Sequence, residues 1–82
     1  MPNSAVKPLI LVVEDDPAVR NLIVAALEAH GMRHIAVETA RAAIAAASSQ
    51  APSIVLLDLG LPDMDGVKVV ESVRAWSGMP II

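Results

Sequence analysis

Three acidic residues, Glu14, Asp15 and Asp58, stand where short apolar runs stop: Leu-Ile-Leu-Val-Val leads into the first two, and Ile-Val-Leu-Leu into the third. If both runs are neighbouring parallel strands, the acids meet at their carboxyl ends, the crevice where open α/β sheets bind ligands. Carboxylates that close repel one another and raise at least one pKa unless a cation neutralises them. Oxygen-only donors suit a hard ion, and Mg2+ in particular is held by one or two carboxylates, waters and substrate phosphate oxygens. An ion so placed could neutralise a phosphoryl group while a carboxylate attacks phosphorus, and aspartyl phosphates are an established product of such attack.

The elements that must position these acids are legible in the pattern. Ile54–Leu57 is too short for a helix and is apolar without alternation, as in a parallel strand covered on both faces. Gly60, Pro62 and Gly66 then turn the chain into a loop. Leu9–Val13 reads as an equivalent strand, and Asp16 before Pro17 as a helix start, with Asp capping free amides and proline having none to lose. Val19, Leu22, Ile23, Ala26 and Leu27 share one helical face, and Gly31 ends that helix. Arg33–Val37 predicts a weaker edge strand, and Thr39 the cap of an alanine-rich helix over 40–49 that lies close to the sheet. Val67, Val69, Val70, Val73, Arg74 and Trp76 describe a third, less regular helix, closed by Gly78 and Pro80. Ile81 and Ile82 open a fourth strand. The alternation predicts an α/β fold with a parallel sheet and right-handed crossovers.

Composition narrows the function classes. The chain has 82 residues, room for one small domain, and Trp76 is its only aromatic residue, so the core must be built from Val, Leu, Ile and Ala. With no cysteine there are no disulfides or thiolate metal sites. No apolar run reaches the roughly 18 residues of a membrane span, and residues 1–8 lack the basic and apolar blocks of a signal peptide, which predicts a cytoplasmic protein without membrane contact. The net charge is −3, and the bases Arg20, Arg33, Arg41, Lys68 and Arg74 are scattered, which argues against direct nucleic-acid binding.

The runs Val-Val-Glu-Asp-Asp-Pro and Leu-Leu-Asp-Leu-Gly-Leu-Pro-Asp-Met-Asp-Gly resemble the receiver domain of two-component response regulators, and Leu-Asp-Leu-Gly-Leu-Pro-Asp resembles its OmpR/PhoB-type branch. The resemblance implies a flavodoxin-like, CheY-like fold with helices on both faces of the sheet. It implies that Asp58 accepts a phosphoryl group from a sensor histidine kinase, that Asp15, Asp58 and the backbone carbonyl of Gly60 hold Mg2+, and that Glu14 acts through a bound water. Such a domain promotes its own phosphorylation without being a conventional enzyme. The full-length family regulates transcription, in the branch most resembled that of potassium uptake. A complete receiver has about five strands in the order 2-1-3-4-5. Residues 9–82 therefore correspond to its N-terminal portion, three strands, three helices and the start of a fourth strand, after a flexible lead-in over 1–8. The family's hydroxyl after strand four and lysine after strand five have no counterpart, since Lys7 and Lys68 match neither position. The strand bearing Asp58 would then be an apolar sheet edge, which predicts self-association.

Blander readings stand beside these. Helix starts favour acids for dipole reasons, so Glu14 and Asp15 alone would be ambiguous. Asp16 is assigned to capping, Asp63 to a solvated loop, and Asp65 and Gly66 to the opening of the third helix. His30 and His34 are separated by Gly31, which speaks against a metal pair. A pseudo-receiver or protein-interaction module is the rival reading. An aspartate-nucleophile phosphatase fits less well, because Gly60 occupies the place of its second acid.

Overall fold

The computed structural model describes residues 8–82, and of the lead-in expected over 1–8 only Pro8 lies inside that range. The described chain runs β1 (Leu9–Val13), α1 (Pro17–Ala29), β2 (Arg33–Val37), α2 (Ala40–Gln50), β3 (Ile54–Leu57) and α3 (Gly66–Arg74). The three strands form a parallel sheet in the order β2-β1-β3, with β1 central. That is the start of the flavodoxin-like order. Among the described residues no helix is long and apolar enough to cross a membrane.

One face of the sheet carries the main core. Leu11, Val13 and Val55 meet Ala40, Ala43 and Ala47 of α2 and Val69 and Val73 of α3, all at most 1% exposed. The buried alanines recur at helical spacing, so the α2 backbone lies close to the strands, as its composition predicts. Each fully buried valine or leucine contributes about 1.5–3 kcal/mol. The buried face of α3 is Gly66, Val69 and Val73. Val67, one of the apolar residues that mark this helix in the sequence, is 48% exposed and turns to solvent.

The other face is thinner. No residue of α1 is fully buried. Of its expected apolar stripe, Ile23 and Leu27 are half-buried, whereas Leu22 is 72% exposed. A periodic stripe shows that a helix has an apolar side, but its neighbours determine how wide a band they cover. Asp16 caps α1 as expected, its Oδ1 accepting from Ala18 N at 2.9 Å, and Gly31 ends the helix region at φ 67°.

The edge expected at β3 is also revised. Residues 80–82 run parallel beside it: Val55 N donates to Pro80 O at 2.9 Å, Ile82 N to Val55 O at 2.8 Å and Leu57 N to Ile82 O at 2.8 Å. The fourth strand read from Ile81 and Ile82 is thus already paired, and it satisfies β3 amides that would otherwise face solvent.

Candidate functional site

Register brings the acids together. Val13 pairs with Val37 on one side and Leu57 on the other, so the residues that follow the three strands, Glu14, Glu38 and Asp58, lie along one rim. The backbone holds this alignment one residue past the ladder, where Glu14 N donates to Val37 O at 3.1 Å and Asp58 N to Val13 O at 3.0 Å. Carboxylate oxygens of Glu14, Asp15 and Asp58 all fall within 4.8 Å of one another. The three acids expected to meet at the strand ends therefore lie together at this rim.

The rim is not electrostatically uniform. Burial pushes the Glu14 carboxyl above its usual range, and the neighbouring carboxyls of Asp58 and Asp15 push it the same way, while a hydrogen bond from Asp16 N opposes them. Asp58 moves in the opposite direction, held below the usual carboxylate range first by the hydrogen bond from Gly60 N and then by those from Glu14 and Asp15. These surroundings thus favour the protonated form of Glu14 and the anion of Asp58. Val12, Ile23, Leu56 and Ile82 line a groove together with Glu14 and Asp58.

Gly60 lies against this centre. Its N–H donates to Asp58 Oδ1 at 3.0 Å, so the loop turns back on the carboxylate that precedes it. A Cβ at Gly60 would meet only that oxygen, at an ordinary 3.7 Å. The backbone does not require glycine here, and the position is simply open. Asp65 caps α3 by accepting from Val67 N at 3.0 Å, in keeping with a structural role. His30 Nδ1 lies 2.9 Å from the Ala26 carbonyl at the end of α1 and takes no part in the cluster.

Two residues beside the site carry no signal in local sequence. Arg20, one of the scattered bases, donates from Nη1 to the Glu14 carbonyl at 3.1 Å and pairs with Glu38 at 3.7 Å, fixing the peptide between the two acids of the first loop. Asp63, read as a solvated loop residue, accepts from Ala40 N at 2.8 Å and Arg41 N at 3.0 Å, and these bonds hold its carboxyl below the usual range. Both partnerships join positions on different elements, so spacing along the chain could not reveal them.

A family profile described as the response regulator receiver domain matches residues 10–82. KdpE of Escherichia coli strain K12, named as the KDP operon transcriptional regulatory protein, is 41% identical over 73 residues, 89% of this chain and 32% of that protein. A segment of the sensor protein GacS of Pseudomonas syringae pv. syringae is 38% identical over 87 residues, 99% of this chain and 10% of that protein. Among solved structures, the BeF3-activated N-terminal receiver domain of Klebsiella pneumoniae RstA has a TM-score of 0.83 at 36% identity, covering 89% of this chain and 62% of that one. The chemotaxis response regulator CheY4 of Vibrio cholerae has a TM-score of 0.88 at 25% identity, covering 93% of this chain and 66% of that one. The chain spans about a third of KdpE's length. Fold, rim geometry and the matched stretch agree: the chain belongs to the response regulator receiver domain family.

Proposed function

We propose that this chain is the phosphoacceptor of a cytoplasmic two-component pathway, taking a phosphoryl group on Asp58 from a phosphohistidine of a sensor histidine kinase. The observation that carries this reading is the meeting of Glu14, Asp15 and Asp58 oxygens within 4.8 Å at the carboxyl rim of the sheet. In the step, an Asp58 oxygen forms a bond to phosphorus as the phosphorus–nitrogen bond breaks, and the electron pair returns to the imidazole of the donor. The result is an acyl phosphate on a domain that is not a conventional enzyme.

The donor set fits Mg2+, because it offers hard carboxylate oxygens and neither sulfur nor imidazole. Asp15, Asp58 and the Gly60 carbonyl are the proposed ligands, with Glu14 acting through water. Bound there, the ion supplies charge neutralisation for the incoming phosphoryl oxygens. The chain's own contribution is to hold Asp58 as the anion, through Gly60 N, and to keep the rim fixed by the Arg20 contact to Glu14. A role in transcription, and in potassium uptake as for KdpE, belongs to the proposal for the whole protein.

Incubation of the 82-residue chain with a small acyl phosphate or phosphoramidate and Mg2+ is expected to add one phosphoryl group by intact mass, and chelation of the ion to prevent it. A folded sample that gains no adduct would assign the chain to binding instead. Gly60→Arg is expected to leave the fold intact, since its Cβ has room, and to lengthen the life of the adduct by shielding it from water. An unchanged rate of dephosphorylation would refute that role for the open position.

A further inference from the structure

The loop over 59–65 carries Gly60 past the phosphoacceptor, and most of its surface faces solvent. Beside the Gly60 bond to Asp58 and the Asp65 cap of α3, further contacts anchor it. Leu61 is 8% exposed and belongs to the main core, Gly66 N donates to Leu59 O at 3.0 Å, and Asp63 reaches across to α2.

The Asp63 contact is the polar one that ties this loop back to α2. A helix leaves its first amides without partners inside the helix. At α2 they are divided between two carriers. Thr39, the local cap, accepts from Ala42 N through Oγ1 at 3.1 Å and from Ala43 N through its carbonyl at 3.0 Å. Ala40 N and Arg41 N are left over, and the two oxygens of Asp63 take one each, at 2.8 and 3.0 Å. Ala40 and Ala43 are fully buried against the strands, so the helix end is a rigid attachment point. Its partial positive charge further favours a carboxylate there.

We propose that Asp63 is a positioning residue: by clamping the loop to the start of α2 it fixes Gly60 against Asp58 and so sets the geometry in which the loop carbonyl meets Mg2+. The functional half of this inference rests on the phosphoacceptor reading above. Asp63 touches neither metal nor phosphoryl group, and its effect passes through the loop backbone.

The two caps of α2 provide their own control. Asp63→Ala removes both long-range bonds, whereas Thr39→Ala removes a side-chain bond from the same helix end without touching the loop. Amide hydrogen exchange in the metal-free chain reads the loop directly, and calorimetric titration with Mg2+ reads the site. Asp63→Ala is expected to speed exchange at Gly60 and to weaken Mg2+ binding by about tenfold, the lower end of the range for groups that orient metal ligands. Thr39→Ala is expected to lower the melting temperature and to leave both readouts as in the parent. Asp63→Asn keeps one acceptor oxygen and should fall between parent and alanine variant. Unchanged exchange at Gly60 in Asp63→Ala, or an equal change in Thr39→Ala, overturns the clamp. Faster exchange with unaltered Mg2+ affinity overturns its link to the site. If the parent chain itself bound no Mg2+ and took no phosphoryl group, the phosphoacceptor reading would fall, and Gly60 exchange would still decide whether Asp63 holds the loop.

Discussion

Asp58→Asn is expected to reduce phosphoryl transfer to below detection by intact mass while the domain stays folded. The two side chains have the same shape, and the asparagine oxygen can still accept from Gly60 N, whose 3.0 Å bond shapes the loop. Its amide can donate to Glu14, which removes the repulsion from Asp58 that helps to raise the Glu14 carboxyl. Thermal stability should therefore be unchanged or slightly increased. What is lost is the nucleophile, since an uncharged amide has no anionic oxygen to bond phosphorus. Mg2+ affinity should fall as well. Two unit charges about 4 Å apart are worth about 1 kcal/mol in a water-like medium and about 4 kcal/mol at an effective dielectric of 20, and a doubly charged ion in direct contact with the carboxylate makes these lower bounds. The site lies at a half-open rim, so a loss of at least roughly fivefold is expected, read by calorimetric titration. An adduct of undiminished yield in the folded variant would mean that another residue accepts the group.

The legibility of this centre in the sequence has a physical origin. In a parallel sheet the acids need only follow the last residue of adjacent strands, and short unalternating apolar runs mark those ends, as Val13 and Leu57 do. Caps and helix ends were legible for the same local reason: Asp16, Thr39, Asp65 and Gly31 act on amides or backbone angles within a few residues of themselves. The parts that stayed hidden depend on which elements face one another. Leu22 belongs to an apolar stripe whose neighbours leave it exposed, and Val67 opens α3 on the solvent side. Asp63 is separated from Ala40 by 23 positions, and nothing in a loop sequence of Pro-Asp-Met-Asp says that the acid not capping the next helix reaches back to the previous one. Residues 80–82 completed β3 because two isoleucines were already enough to pair, which the strand pattern predicted in kind but not in consequence for the edge.

Gly66→Ala should be the most damaging single methyl in the chain, and the reason ties stability to the site. A Cβ at Gly66 would lie 2.6 Å from Leu59 Cα and 3.1 Å from the Asp58 carbonyl oxygen. The nearest of these are main-chain atoms, so no side chain can rotate out of the way. Either α3 withdraws from the end of β3 or the peptide after Asp58 moves. Withdrawal strains the packing of Val69 and Val73, which are buried one and two turns further along α3. Alanine is the better helix former by up to about 1 kcal/mol, but that gain is set against about 1–3 kcal/mol or more for overpacking. In a domain whose single core supplies on the order of 3–5 kcal/mol, a net loss of about 1–2 kcal/mol removes much of the margin. At about 4–8 °C per kcal/mol for a chain this small, the melting temperature should drop by roughly 10 °C. Gly78→Ala is the matched control, since a Cβ there meets nothing within 4 Å, and it should melt with the parent. Because the displaced peptide is the one that leaves Asp58, the fraction of Gly66→Ala that remains folded at low temperature should also take up phosphoryl groups more slowly. A variant that melts within a few degrees of the parent and is phosphorylated at the parent rate would show that the loop is slack enough to absorb the methyl, and that close approach of α3 to β3 does not set the position of the phosphoacceptor.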